Sequence, residues 1–427
     1  MKRILTMLAL LMCLLPAVAS ADLWMKDNPD HKLTGEVILS GKTVELVGDG
    51  QPTDVWFVIK GVSKITLDNV NIETEHCVMK TSADGGIFWS EPLEIAFVGE
   101  QESILVSRTT NAIDTHRILT VSGGGATIQG GCGSKGGHGI LGVNGDIFIN
   151  ASNMTICGGD ASEQGGDGIR TDLADVTISG SDVKISGGSV KGANNSWSSI
   201  YGGYGIYTDY SASVTINGSH VEISGGSAQG RNAVGRYGVR CGDKLTIHDR
   251  DVTIRGGAAS SDYNGAGGNA VFAGSRMEII GAVAPDDDTG LENDESSSPK
   301  GVTLLGGTAQ GYISSSGGEG VALSSIRDKL TISSENVLIR GGSGEKAMYN
   351  VTVELDGVAG FESEDGTEWA QDLTGTQGDL PWYKTGPIPP VSTSALPKTG
   401  DDSSMTLWAL LLAMSVCALG LRRRHAT

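Results

Sequence analysis

The chain has 427 residues, 64 of them glycine, with 5% aromatics and a formal net charge of −19. That balance describes an acidic, turn-rich β protein and excludes nucleic acid as a partner, because a phosphate backbone would be repelled. Six cysteines, two of them in the hydrophobic ends of the chain, are too few and too scattered for a disulfide framework.

Lys2 and Arg3 precede an apolar run over residues 4–15, then Pro16 and the small residues Ala19, Ser20 and Ala21. This is the pattern of a secretory signal peptide, so residues 1–21 are expected to be removed. The stretches VILSGKTVELVG, VWFVIKGVSKITLDNVNI and LEIAFVGEQESILV then alternate apolar and polar residues at irregular spacing. Residues 22–112 therefore read as degenerate first coils of a repeat array, whose terminal units are usually atypical.

From residue 113 the repeat is regular. The stretch 166–188, GDGIRTDLADVTISGSDVKISGG, carries three apolar beats: Ile169, then Val176 with Ile178, then Val183 with Ile185. The Val-x-Ile pairs have the period of two that marks a half-buried strand. The leading residue recurs as Ile113, Ile140, Ile169, Ile206, Val239, Val271 and Val321. The second beat opens at Leu119, Ile147, Val176, Val214, Leu245, Met277 and Leu330. The third follows seven residues later, except that Met277 reaches Val302 across an insertion. The gap from the third beat to the next coil varies, from 12 residues (Ile128 to Ile140) to 21 (Ile185 to Ile206). One fixed corner and one variable loop are the mark of a stacked solenoid.

A single coil of about 30 residues cannot fold alone. Its five or six aliphatics contribute about 1.5–3 kcal/mol each, against about 1–2 kcal/mol per residue of backbone ordering. Neighbouring coils must supply the rest. The Gly-Gly pairs after the third beat (187–188, 225–226, 256–257, 306–307, 341–342) fit a corner that needs positive φ or close backbone approach. The expected fold is all-β: a single right-handed parallel β-helix over residues 22–356, regular over 113–342, with coils of about 30 residues.

The insertion after Met277 is rich in Asp and Glu without calcium-loop spacing, and reads as a solvated acidic excursion. Residues 357–395 are expected to form a cap and a Pro-rich linker. Leu396, Pro397, Lys398, Thr399 and Gly400 then precede a polar spacer, an apolar run over residues 405–421 and three arginines. This ordered triple, residues 396–427, resembles the LPxTG sorting signal of Gram-positive cell-wall proteins. The resemblance implies that a sortase cleaves after Thr399 and joins it to peptidoglycan. The tail would act as a transmembrane span only before sorting, leaving an anchored protein on the extracellular face.

Two groups of side chains suggest chemistry. Asp172 and Asp209 both stand three residues after the leading Ile of successive coils, so stacking places them about 4.8 Å apart. At an effective dielectric near 20 their repulsion is about 3 kcal/mol, which solvent or a cation must offset. Asp167, Asp175 and backbone carbonyls extend this to a candidate Ca²⁺ cage. Trp197, Tyr201, Tyr204, Tyr207 and Tyr210 fall on the longest loop and the coil it enters, and amphipathic rings of this kind suit sugar faces. Arg170 and Arg240 lie nearby.

Through its repeat pattern and GDGI-x-TD-like turns, the stretch 110–345 resembles the non-catalytic, pectate-lyase-like β-helix proteins of clostridia. The resemblance implies binding of calcium and of acidic or plant polysaccharide. Gly137-His138-Gly139 resembles a polygalacturonase fragment, but that family's paired aspartates and Arg-x-Lys are absent around it, so His138 reads as a turn residue. The expectation is an anchored carbohydrate-binding protein with a Ca²⁺ cofactor. The alternatives are a protein-binding adhesin that uses the solenoid as a stiff stalk, and a polysaccharide lyase or hydrolase.

Overall fold

The repeat positions fall into register one after another. Ile113, Ile140, Ile169, Ile206, Val239, Val271 and Val321 form one parallel ladder. Leu119, Ile147, Val176, Val214, Leu245, Met277 and Leu330 form a second. Ala126, Met154, Val183, Val221, Val252, Val302 and Val337 form the third. The protein is a parallel β-helix, with no α-helix among the described residues. This is a computed structural model; it describes residues 22–81, 91–192, 198–209, 211–248, 250–281, 301–310, 314–323, 329–343, 345–371 and 380–388.

Each coil has three faces, represented by Ile169–Asp172 (face one), Val176–Ile178 (face two) and Val183–Ser186 (face three). Alternation sends Ile169, Val176, Ile178, Val183 and Ile185 inward, where none is more than 1% exposed. The irregular N-terminal stretches join the same ladders: Phe57 pairs with Met79 and Met79 with Ile113, while Ile65 pairs with Ile95 and Ile95 with Val121. Their spacing differs because some of these coils are shorter. Gly35 pairs with Val55, a step of 20 residues, whereas Ile140 pairs with Ile169, a step of 29. Arg117 is buried among these coils. Its Nε donates to the Glu91 carbonyl at 2.5 Å, Nη1 to Val62 at 2.7 Å and Nη2 to Pro92 at 3.1 Å. A buried guanidinium persists there because its donors meet fixed acceptors.

The segment expected to be a variable loop is itself stacked. Ala161–Gln164, Val190–Lys191, Ala228–Val234, Ala259–Ala266 and Ala309–Gln310 belong to a lateral parallel sheet of eight strands among the described residues. Val190, Ile200, Ala228, Ala233, Ala259 and Ala309 give it a small core of its own. A backbone zip closes its neck. Gly188 N–H donates to Gly166 O at 2.7 Å, Gly203 N–H to Gly188 O at 2.8 Å, and Gly226 N–H to Gly203 O at 2.7 Å. None of these glycines has a positive φ. The requirement is close approach: a Cβ on Gly188 would overlap the Gly159 carbonyl.

Both ends depart from the parallel pattern. Leu23–Met25 runs antiparallel to Thr43–Gly48 on face two, and Trp382–Gly386 runs antiparallel to Val337–Arg340 on face three. The latter strand also pairs antiparallel with Ala359–Ser363, so the C-terminal cap extends to residue 386, and Tyr383 is fully buried. The four cysteines of the described chain are free. Cys241 is buried, Cys77 and Cys157 are half-buried and Cys132 is exposed.

Candidate functional site

Face one carries the candidate side chains, because its central strands leave one half-buried residue between two buried ones. Register brings Arg170, Tyr207, Arg240 and Phe272 into one outward column. Successive rungs lie about 4.8 Å apart. A second column precedes each strand by two residues: His138, Asp167, Tyr204, Tyr237, Asn269 and Glu319. The following residue of each coil donates its N–H to the next member's carbonyl, as in Gly168 to Tyr204 (2.9 Å) and Gly205 to Tyr237 (3.2 Å).

The two columns interlock through rings and guanidinium groups. Arg170 lies over the Tyr207 ring at 4.4 Å and Arg240 over the same ring at 5.0 Å. Since they belong to the coils before and after Tyr207, they approach it from opposite sides along the axis. Arg236 lies 4.4 Å over Tyr201 and 5.0 Å over Tyr204, and donates to the Tyr204 hydroxyl at 3.0 Å. Tyr204 meets Tyr237 edge-on at 5.7 Å, and Tyr237 stacks on Phe272 at 5.9 Å and 24°. Burial holds the Tyr207 and Tyr237 phenols above their ordinary range, so they are neutral at physiological pH.

Of the residues expected to bind ligand, Arg170, Tyr201, Tyr204, Tyr207 and Arg240 come together; Trp197 and Tyr210 lie outside the described residues. Arg236 was missed. Its signal is present in the sequence, because Gly137, Gly166, Gly203, Gly268 and Gly318 occupy the equivalent position in other coils and only here does a long cation replace them.

The expected calcium cage does not assemble. Asp167 is 2% exposed, accepts the Tyr204 N–H at 2.8 Å and lies 3.2 Å from Arg170 Nη1. Asp175 accepts the Ser213 N–H at 2.7 Å. Both staple one coil to the next, satisfying turn N–H groups. Asp172 faces Arg170 Nε at 3.7 Å, and the Asp209 carbonyl closes a turn to Ala212. Among the described residues no three His, Cys, Asp or Glu side chains gather as a metal site. Three of the four expected carboxylates are thus engaged by backbone N–H groups or by Arg170.

His138 belongs to the same stapling column. Asn111 Oδ1 accepts the His138 N–H, and His138 Nδ1 accepts the Asp167 N–H, both at 2.9 Å. Nδ1 is therefore the unprotonated nitrogen. Burial lowers the pKa of His138, despite the upward pull of Asp167, Asp172 and Asp114; Arg170 adds to the lowering. An imidazole depressed on folding takes up its proton more readily in the unfolded chain, so stability falls as pH drops through about 6.5, the unfolded value. His138→Asn keeps an acceptor and removes the titration. Its melting temperature should match the wild type above neutrality and fall less steeply between about pH 6.5 and 5. Identical pH slopes would show that His138 is not the titrating group.

A cavity of about 590 Å³ lies on the face-three side of the lateral sheet. It is lined mainly by Ala and Ser, with Asp160 and Lys191, and has neither an aromatic ring nor an arginine. Face one has both, and its groups are fixed by one another, so it is the better candidate. No protein-family profile, curated protein or solved structure matches the chain.

Proposed function

We propose that this is an extracellular, cell-wall-anchored protein that binds acidic polysaccharide through Arg170, Arg236 and Arg240 on face one. The observation that carries the reading is the Tyr207 ring held between Arg170 and Arg240. Stacking leaves the N–H edges of a guanidinium open to carboxylates, and a pre-positioned side chain loses less entropy on binding. Arg170 and Arg240 are two rungs apart, about 9–10 Å along the axis, which suits a polymer carrying repeated acidic groups. The surroundings sharpen the point. In a chain of net charge −19, Arg236 and Arg240 make no ion pair among the described residues. The Tyr201, Tyr204 and Tyr207 rings orient the arginines.

Titration calorimetry with polygalacturonate tests this. Arg240→Ala should weaken binding about tenfold or more, the 1.5–3 kcal/mol of a charge-assisted hydrogen bond. Tyr207→Ala should weaken it by freeing two arginines, while Tyr207→Phe should not. Binding should persist in EDTA; its loss there would restore Ca²⁺ at Asp172 and Asp209. Absence of heat with this and other acidic polysaccharides would favour a protein-binding adhesin.

The anchoring half of the proposal rests on residues 396–400, which lie outside the described residues. Mass spectrometry of muramidase-released protein should find a C-terminal Thr399 bearing a peptidoglycan fragment. Recovery of the mature protein with residues 422–427 intact would overturn it.

A further inference from the structure

Toward the C-terminus the same face changes sign. A cleft of about 490 Å³ opens between face one and the lateral sheet, lined among others by Tyr237, Phe272, Tyr349, Asn269, Glu319 and Glu345. It continues the arginine row, because Tyr237 and Phe272 also belong to the stacked columns. Arg236 also lines the cleft, with its guanidinium over Tyr201 and Tyr204 on the N-terminal side. Neither Glu319 nor Glu345 makes an ion pair among the described residues. Asn269 Oδ1 accepts the Glu319 N–H at 3.0 Å, which fixes the backbone beneath the carboxylate.

Burial, with the Glu345 charge adding to it, holds the Glu319 carboxyl above the usual carboxylate range. That is the state of an acid without a counter-charge. Carboxylates and the faces of aromatic rings attract the same kind of group, a cation with little hydration to lose. A bare metal ion is disfavoured, since two carboxylates without a third ligand do not complete a coordination shell.

We propose that this cleft binds an organic ammonium group, the free amine of an amino sugar. The sugar ring would lie against Tyr237 and Phe272, with Glu319 and Glu345 receiving the ammonium. The choice of a glycan amine rests on the acidic-polysaccharide reading, because Glu319 stands on the coil two rungs, about 9–10 Å, beyond that of Arg240 along one continuous surface. A chain carrying both acids and amines would engage both ends at once.

The test is titration calorimetry on the folded protein just below neutral pH, with a glucosamine tetramer and its fully N-acetylated counterpart. The free-amine tetramer should bind and the acetylated one should not. Glu319→Gln and Glu345→Gln should each weaken binding about tenfold, roughly one ion-pair contact, and the double variant should abolish it. Thermal melts of these conservative variants confirm folding. Equal binding of the two tetramers, no binding of the free amine, or unchanged affinity in the double variant would overturn the proposal. The last outcome is what non-specific attraction to an acidic protein would give. Arg240→Ala should not weaken tetramer binding, because it removes a positive charge and no cleft residue. Loss of polygalacturonate binding alone would sink the acid-binding reading, and loss of tetramer binding alone would sink this one.

Discussion

Ile185→Asp is expected to unfold the central coils. Ile185 is 1% exposed and sits in the inner ladder between Ile156 and Ile223. The substitution removes a large aliphatic, about 2–5 kcal/mol by itself, and leaves an unpaired carboxylate in an apolar stack. A loss above about 5 kcal/mol is a large part of any domain's stability. Nearest-neighbour coupling would carry the damage to both sides. Lys184→Gln, one residue away on the exposed side, should be nearly silent, because its ion pair with Glu222 at 3.5 Å is solvated. Thermal melts of the two variants decide the matter. Similar losses would mean that the inward and outward sets are wrongly assigned.

Gly188→Val should be nearly as damaging, for a different reason. A side chain there collides with the Gly159 backbone, and the neck must open to accept it. Opening breaks the bonds from Gly188 N–H to Gly166 O and from Gly203 N–H to Gly188 O, and it frees the lateral strands Val190–Lys191 and Ile200–Tyr201. Overpacking against rigid backbone costs about 3 kcal/mol or more. The comparison is Gly61→Ala, at φ 68° with open space around it, where a cost of about 1 kcal/mol is expected. Limited proteolysis should cut the Gly188 variant within residues 189–202 and spare the other. Equal destabilisation of the two would refute close approach as the reason for the glycine columns.

The three-faced core was legible because Val and Ile at period two leave few other solutions, and one slipped residue would turn every one of them outward. The lateral sheet was not. Its strands are short and rich in Ala, Ser, Gln and Gly, with Val190 and Ile200 too isolated to show an alternation. The arginines and tyrosines of face one were visible as residues but not in their relation. Adjacency of Arg170, Tyr207 and Arg240 exists only once coils are stacked, since 37 and 33 residues separate successive members of the column. Asp167 and Asp175 illustrate the opposite error. An aspartate in a turn reads equally as a cation ligand or as an acceptor for the next coil's N–H, and only the partner atom separates the two.

The strands that close the ends have a consequence for growth. A bare parallel coil is a template on which another molecule can continue all three ladders, and repetition would yield fibres. Here Leu23–Met25 and Trp382–Gly386 occupy one face at each end with the chain running the wrong way. An arriving molecule can no longer match three strand directions together, so propagation stops at one copy. The antiparallel strands at residues 23–25 and 382–386 thus guard the solenoid against polymerising at its own ends.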